Sequence, residues 1–376
     1  MEKIQVLKPR YRVNECLEEI KECLEIGWTG MGFKTVEFEE KWKKYTKLAN
    51  AHFLNSATSG LHLAIKVLKD KYNWKNGDEV ITTAFTFVST NHAIKYENLT
   101  PIFADIDDSL NISPLTIEEK ITPKTKAIIF VGIGGNSANL EEIISIAKKN
   151  NLKIILDGAH MAGSYLNGKH VGFDVDVSVF SFQAVKNLPT ADSGMICFKD
   201  DEDDKKVREL SWLGINKDTF ERAKQGTYKW DYNVDVTGYK YHGNSIMAAL
   251  GLVGLKYLDI DNAYRRQIAF WYKQNLSDKV KIITHKNENE SSRHLFQIVV
   301  ENREKVIDYL TKNNIFPGVH YRENTEYLPY NIDYPLKNAK YFSDRILTLP
   351  IHTFLTKNDV DMISEYVIKA IEYALK

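Results

Sequence analysis

Between about residues 50 and 200, short apolar runs alternate with longer segments that have helical periodicity. Most of the short runs are apolar at consecutive positions rather than at every second one, which is typical of strands covered by helices on both faces. This alternation predicts an α/β fold with a mostly parallel, doubly wound sheet. The predicted strands are 51–54, 79–82, 101–104, 126–130, 153–156, 177–181 and 194–198.

The 376 residues exceed what one hydrophobic core usually spans, so we expect a large and a small domain. Helical patterns cover 13–26 and 36–48 before the first strand, 59–70 and 140–150 between strands, and a long segment from 245 towards 276. Residues 280–376 are typical of a small α+β domain: strand, strand, helix 303–313, strand, loop and two closing helices. We predict a large domain at 1–245 and a linking helix with the small domain at 246–376.

The charge balance and the cysteines exclude several classes of protein. The chain has 50 basic and 50 acidic residues, so it lacks the net basic charge expected of a protein that binds nucleic acid or anionic lipid. Cys16, Cys23 and Cys197 are too few and too scattered for a disulfide framework or a zinc site, and we expect no metal. No apolar stretch approaches the roughly 18–20 residues of a membrane span, and no signal peptide is recognisable. We therefore expect a soluble cytoplasmic protein.

Three features follow predicted strands, at the edge where α/β sheets place ligands. Residues 56–60 put small hydroxyl side chains at a helix start, which suits either an anion site or an ordinary N-cap. Asp157 follows a buried strand and could bind a ligand or cap a helix. Lys186 follows another strand; it is either an ordinary exposed lysine or, if its pKa is lowered or it forms a Schiff base, a catalytic one.

Two segments without regular periodicity are also candidates for a functional role. Residues 27–32 form a glycine-dense loop containing Thr29, and loops of this kind often reach a site. Residues 210–243 have weak periodicity but many aromatic side chains, which indicates a segment ordered by a partner surface rather than a solvated linker. These aromatic residues are Trp212, Tyr228, Trp230, Tyr232, Tyr239 and Tyr241.

The three features belong to a longer series of sequence motifs that follow one another along the chain. The series includes Asp157-Gly-Ala-His160 and Gly318-Val-His-Tyr321. The others are 55–65, 77–90, 101–107, 168–172, 180–186, 192–195, 238–241, 248–251 and 347–352. In order and spacing, the chain resembles the DegT/DnrJ/EryC1/StrS aminotransferases over nearly its whole length. These are fold-type-I pyridoxal-phosphate enzymes best known for aminating keto-sugars. The resemblance implies pyridoxal 5′-phosphate as cofactor.

The resemblance implies a role for each site residue. Lys186 would hold the cofactor as a Schiff base and, once displaced, carry the proton between the donor's α-carbon and the C4′ carbon of the cofactor. Asp157 would keep the pyridine nitrogen protonated, which strengthens the ring as an electron sink. Thr58, Ser59 and Ser181 would bind the 5′-phosphate, so that the helix-start and phosphate interpretations agree.

Further site residues follow from the same resemblance. Phe87 would stack on the ring, although on its own it could be a core aromatic residue. His160 would lie near the phenolic oxygen or be a structural histidine, and Gln183 would contact the phosphate or the substrate. Such enzymes act as homodimers whose partner completes the phosphate site. Lys240, His242 or Asn244 would supply that contribution, and Asn244 is our choice as a cofactor contact.

The acceptor stays open because the chain departs from the family at two places. Relatives usually read close to His-Leu-Tyr-Gly-Gln where this chain has Gly132-Ile-Gly-Gly-Asn136, so the glycines either let backbones approach or reshape the pocket. Beside His320 and Tyr321, which with Thr29 are the expected substrate contacts, Arg322 replaces a common proline. That arginine could clamp a phosphate or pair with Glu323.

Relatives with histidine at the lysine position remove a hydroxyl instead of transferring an amine. Lys186 therefore favours transamination, with L-glutamate as the expected donor. The acceptor is either a nucleotide-linked keto-deoxysugar or a small phosphorylated ketone such as dihydroxyacetone phosphate. Either acceptor fits a role in the biosynthesis of surface polysaccharide or capsule. The alternative is a non-catalytic, cofactor-binding regulator or scaffold, which the retention of Lys186, Asp157 and the hydroxyl cluster argues against.

Overall fold

The computed structural model describes residues 2–216 and 232–376. The strands are β1 Ile4–Gln5, β2 His52–Leu54, β3 Glu79–Thr83, β4 Thr100–Ala104, β5 Thr125–Val131, β6 Lys153–Asp157, β7 Tyr165–Leu166, β8 Lys169–His170, β9 Val177–Ser181, β10 Gly194–Phe198, β11 Lys281–Ile282, β12 Phe296–Val299, β13 Ile315–Phe316 and β14 Ile346–Leu349. All seven strands predicted between 51 and 198 are present.

The helices are α1 Val13–Ile26, α2 Phe33–Thr46, α3 Ala57–Lys71, α4 Val88–Tyr96, α5 Pro114–Glu118, α6 Leu140–Lys149, α7 Asp201–Ser211, α8 Ser245–Leu276, α9 Arg303–Lys312, α10 Lys337–Arg345 and α11 Lys357–Ala374. The six predicted helices with stated bounds are confirmed to within three residues at either end. Ser56 explains why α3 begins before the predicted residue 59, because its hydroxyl caps the helix by accepting the Ser59 N–H. No described helix has the length and apolar character to cross a lipid bilayer.

The central sheet has seven strands in the order β2-β10-β9-β6-β5-β3-β4. Strands β4, β3, β5, β6 and β9 pair in parallel, whereas β10 pairs antiparallel with both β9 and β2. The mostly parallel sheet is therefore confirmed, with one strand reversed near its edge. The carboxyl ends of β5, β6 and β9 lie side by side, which brings Val131, Asp157 and Ser181 to one edge of the sheet.

Both faces of this sheet are buried, as the consecutive apolar positions predict. In β5, Ala127 and Ile129 belong to one core, which α3 and α4 also build, while Ile128 and Phe130 belong to the opposite core, beside α2 and α6. Successive strand side chains point to opposite faces, so a strand between two helical layers must be apolar throughout.

The C-terminal part contains a second, three-stranded antiparallel sheet in the order β11-β12-β14. A third core joins this sheet to α8, α9 and α11. The prediction of two closing helices was incomplete, because β14 lies between α10 and α11. The proposed division at residues 245 and 246 stays a prediction, although α8 does begin at Ser245.

The aromatic segment is described in part. Trp212, Tyr232, Tyr239 and Tyr241 lie among the described residues, whereas Tyr228 and Trp230 lie outside them. The rings of Tyr239 and Tyr241 stack with centroids 4.9 Å apart, and both contact the His62 ring on α3. The end of this segment therefore packs beside the helix whose first residues form the predicted anion site.

Candidate active site

A cavity of about 440 Å³ opens at the carboxyl edge of the central sheet. Its walls come from the ends of β5, β6 and β9, the starts of α3 and α4, and the segments around residues 294 and 320. Among the residues predicted from sequence, those that line it are Thr58, Phe87, Asp157, His160, Ser181, Gln183, Lys186, His320 and Tyr321. The fold thus brings together residues that are far apart in the chain.

Lys186 lies in the loop that follows β9, where its backbone N–H donates to the Gln183 carbonyl at 2.8 Å. Its Nζ has no hydrogen-bond partner among the described residues, and it lines the cavity. Burial lowers the pKa of this amine from 10.5 to about 8, and the nearby Asp157 carboxylate opposes that shift. The amine is therefore far closer to its neutral, nucleophilic form at physiological pH than an exposed lysine is.

Asp157 ends β6 and is buried. Its Oδ2 accepts a hydrogen bond from the Thr90 hydroxyl at 2.7 Å, and its Oδ1 accepts from the Ala159 N–H at 3.1 Å. Burial raises the pKa of the carboxyl, while the bonds from Thr90 and Ala159 and the charge of Lys186 act in the other direction. A buried carboxylate with two donors can stabilise a positive charge placed against it.

The start of α3 forms the predicted anion site. Ser56 caps the helix through its hydroxyl, which accepts from the Ser59 N–H at 3.0 Å. The N–H groups of Ala57 and Thr58 have no partner among the described residues, and both residues line the cavity with Ser181. Free N–H groups at a helix N-terminus, with hydroxyl groups beside them, suit a phosphate.

His160 and Tyr321 form a hydrogen-bonded pair on another wall. The Gly134 N–H donates to His160 Nδ1 at 3.2 Å, so the ring proton is on Nε2, which donates to Tyr321 Oη at 3.0 Å. Burial and the Lys186 charge hold the pKa of His160 well below its usual value. The tyrosine hydroxyl accepts from the histidine, and its own proton is therefore free to bond a ligand. Burial raises the pKa of Tyr321 as well.

Two more predicted residues line the cavity in distinct ways. Phe87 precedes α4, is 59 % exposed, and has its ring 6.2 Å from that of Tyr321, so one of its faces is open to a ligand. His320 bonds through Nδ1 to the Thr348 hydroxyl at 2.9 Å, and burial lowers its pKa to about 4. It is therefore neutral at physiological pH.

Four predicted contacts do not line this cavity. Arg322 is 56 % exposed and forms an ion pair with Glu326 rather than with Glu323, whose side chain is buried. Thr29 is exposed and its carbonyl accepts from the Ser245 N–H. Ser59 directs its hydroxyl to Asn55 and Ser56. The Asn244 side chain caps α8 by accepting from the Met247 N–H.

The glycines of the departing motif are buried, and they do not line the cavity. A Cβ at Gly132 would lie 2.0 Å from the Met161 sulfur, so the methionine fills the space of the missing side chain. Gly134 has a φ of 65°, and a Cβ there would meet Leu295 and Gln297. Of the two interpretations of these glycines, the structure therefore favours the one in which they let the backbone lie close to its neighbours, rather than the one in which they enlarge the pocket.

Sequence reasoning missed several residues of the site. Thr90 supports Asp157, and Thr86 and Ser89 line the cavity beside it. All three belong to the segment 77–90 whose resemblance was noted, so that segment could have identified them. His294 lines the cavity from the loop before β12 and had no signal in the sequence. The remaining missed residues are Leu7, Val131, Ala159, Val185, Asp192 and Ser193, whereas Ser56 and Ala57 belong to the predicted anion segment 56–60.

The residues fit pyridoxal 5′-phosphate. A lysine amine without a partner, a buried carboxylate and a helix N-terminus with free N–H groups correspond to the aldehyde, the ring nitrogen and the phosphate of this cofactor. Three separate elements, β9, β6 and α3, supply these groups at one cavity.

Comparison with known proteins agrees with this geometry. The spore coat polysaccharide biosynthesis protein SpsC of Bacillus subtilis is 33 % identical over 372 residues, covering 94 % of this chain and 93 % of its own. The putative sugar aminotransferase Spr1654 from Streptococcus pneumoniae, in its PMP form, is 32 % identical with a TM-score of 0.91, covering 99 % of this chain and 100 % of its own. Helicobacter pylori PseC, an aminotransferase involved in the biosynthesis of pseudoaminic acid, is 28 % identical with a TM-score of 0.91 and the same coverage.

Spr1654 has also been solved in a PLP form, with 30 % identity to this chain and a TM-score of 0.91. Residues 11–368 match the DegT/DnrJ/EryC1/StrS aminotransferase family. That match spans both sheets and every residue predicted for the site. The chain belongs to this family and is a pyridoxal-phosphate-dependent aminotransferase.

Proposed function

We propose that this enzyme moves an amino group from L-glutamate to the ketone of a nucleotide-linked keto-deoxysugar, in the biosynthesis of a surface polysaccharide. The observation that carries the proposal is the Lys186 amine, which lines the cavity without a hydrogen-bond partner among the described residues, beside the buried Asp157. Support for a sugar acceptor comes from relatives: SpsC is named for spore coat polysaccharide, and PseC for pseudoaminic acid.

Pyridoxal phosphate, when bound, supplies an electron sink for the charge that develops at the donor's α-carbon. Lys186 would hold the cofactor and then carry the proton between that carbon and the cofactor's C4′. An amine with a pKa of about 8 suits both tasks, because it gives up and accepts a proton near neutral pH. Asp157, held by Thr90, would keep a proton on the pyridine nitrogen.

The walls of the cavity would orient the cofactor. The free N–H groups of Ala57 and Thr58, with the Ser181 hydroxyl, would bind the phosphate, and the open face of Phe87 would cover the ring. The free proton of the Tyr321 hydroxyl would bond an oxygen of the cofactor or of the acceptor.

Between the two acceptors expected from sequence, we favour the nucleotide-linked sugar. The small phosphorylated ketone was suggested by the glycines and by Arg322. Gly132 and Gly134 pack against the side chains of Met161, Leu295 and Gln297. The arginine pairs with Glu326. The alternative therefore loses the two features that suggested it.

We further propose a homodimer in which Lys240 reaches the partner's phosphate site. The segment around Lys240 runs beside β2 and α3: the Asn55 N–H donates to the Tyr241 carbonyl at 2.8 Å. Lys240 is exposed, with its Nζ 3.7 Å from the centroid of the Trp212 ring, whereas the Asn244 oxygen is occupied by the N-cap. The three cysteines are free and buried, which agrees with a reducing compartment such as the cytoplasm.

The test of the reaction is a two-stage measurement on purified holoenzyme. L-Glutamate alone should convert the visible band of the lysine-bound cofactor to the ultraviolet band of the pyridoxamine form. A nucleotide-linked keto-deoxysugar should then restore the visible band, and dihydroxyacetone phosphate should not. Restoration by dihydroxyacetone phosphate alone would refute the acceptor, and no change with glutamate or any other amino acid would refute the reaction.

The test of the shared site is complementation. Lys186→Ala and Lys240→Ala subunits, each of low activity alone, should regain activity when they are unfolded and refolded together, since one of the two sites in a mixed dimer would carry neither substitution. No gain over the separate variants would contradict a contribution from Lys240 across the interface.

A further inference from the structure

His294 lines the cavity from the loop before β12, and the proposed function gives it no task. Its backbone N–H donates to the Gly134 carbonyl at 2.9 Å, and its ring lies 4.5 Å from the His160 ring. The side chain is 2 % exposed, so its polar atoms require partners or must face the cavity.

The neighbouring Asn187 fixes the position of the ring proton. The Asn187 amide nitrogen donates to the Ser292 carbonyl at 2.8 Å and to Asn262 Oδ1 at 2.7 Å. Asn262 must present its oxygen there, because its own nitrogen donates to the Ala162 carbonyl at 2.9 Å. Backbone carbonyls only accept, so neither amide can be turned around.

Asn187 Oδ1 is therefore the atom that faces His294 Nδ1, at 2.8 Å. An amide oxygen can only accept, so His294 must carry its proton on Nδ1, and Nε2 keeps a free lone pair. Nε2 has no hydrogen-bond partner among the described residues, and it is not one of the unpartnered side-chain atoms that are closed off from solvent. The lone pair is thus open to the cavity.

His294 and Tyr321 present complementary hydrogen-bonding groups to the cavity. Tyr321 offers a hydroxyl proton, whereas His294 offers an acceptor, and burial and nearby positive charges hold the pKa of His294 well below its usual value. A neutral imidazole nitrogen with its lone pair exposed binds a donor such as an alcohol and cannot bind a carbonyl or phosphate oxygen. Sugars differ from simple keto acids in carrying such alcohols.

The geometry points to His294 as a specificity-determining residue that accepts a hydrogen bond from a hydroxyl group of the sugar acceptor. This assignment rests on the proposed function, in which the acceptor is a sugar that supplies this hydroxyl. Asn187 is then a positioning residue: it acts through the histidine by holding the proton on Nδ1.

Two substitutions separate the two nitrogens. His294→Asn can still donate to Asn187 but ends short of the Nε2 position. His294→Gln reaches that position with an amide oxygen that can accept. Each variant is charged with glutamate, and the return of the visible band is followed with a UDP-linked 4-keto-6-deoxyhexose and with its 2-deoxy and 3-deoxy analogues.

We expect His294→Asn to lose roughly 3- to 10-fold in kcat/KM with the full sugar, the effect of one neutral hydrogen bond. The glutamate stage should stay within about 2-fold of wild type, and His294→Gln should recover most of the loss. One deoxy analogue should show the same loss with wild type and no further loss with His294→Asn, because the bond is already absent.

Three results would overturn the inference: wild-type kinetics for His294→Asn, equal losses in both stages, or a deoxy penalty that persists in this variant. A wild-type enzyme that leaves all three sugars unchanged would instead refute the proposed function, and the assignment would fall with it.

Discussion

Replacing Lys186 with methionine should stabilise the cofactor-free protein while abolishing transamination. The lysine amine has a pKa of about 8 in the folded chain, against 10.5 when exposed. That difference corresponds to about 3 kcal/mol, the cost of holding a protonated amine in the cavity at neutral pH. Methionine has similar length and no charge, so it should remove most of this cost.

The pH dependence makes this prediction specific. Between pH 8 and 10.5 the unfolded chain binds more protons at this lysine than the folded chain does, so wild-type stability rises with pH in that window. The gain from Lys186→Met should therefore fall from about 3 kcal/mol at pH 7 to about 1 kcal/mol at pH 9.5.

Urea unfolding of the cofactor-free proteins at the two pH values measures this difference. Lys44→Met, at an exposed position of α2, serves as the control and should not reproduce the change with pH. A gain from Lys186→Met that is absent, or equal at both pH values, would refute the reasoning that burial depresses the pKa of Lys186.

Three further substitutions test other contacts. Thr90→Val removes the hydroxyl that donates to Asp157, a bond to a charged group of about 1.5–3 kcal/mol, and should lower kcat roughly 10-fold or more while Thr90→Ser retains activity; equal losses in both would contradict the role of the hydroxyl. Arg322→Ala should leave the KM of the nucleotide-linked keto-deoxysugar within about 2-fold, because the side chain pairs with Glu326; a large rise would restore the phosphate clamp. Gly132→Ala should cost about 1–3 kcal/mol of unfolding free energy, and Met161→Ala should recover part of it; additive losses would contradict the contact.

Much of the fold could be predicted because its strands are buried on both faces. Ile128 and Ile129 face opposite cores, and this requirement appears in the sequence as consecutive apolar residues. Strand β14 escaped prediction, since it is only four residues long and its partner β12 lies about fifty positions earlier. Pairing at such a distance leaves no local pattern.

The site divides in the same way. Asp157 ends β6 and Lys186 lies in the loop after β9, at the edge where the fold places ligands. Position and residue type made them candidates, and the family resemblance was needed to give them roles. Arg322 adjoins a cavity residue in sequence, but its side chain turns to Glu326. His294 belongs to the site through tertiary contacts with Asn187 and Gly134, and no sequence motif predicts that position.

The central claim is that the amine of Lys186 holds the cofactor. Borohydride reduction of the holoenzyme followed by peptide mapping tests it most directly, because reduction makes a lysine adduct permanent. We predict a phosphopyridoxyl mass on the peptide containing Lys186, absent when the enzyme has first been treated with L-glutamate. An adduct on another lysine, or none on enzyme saturated with the cofactor, would contradict the account.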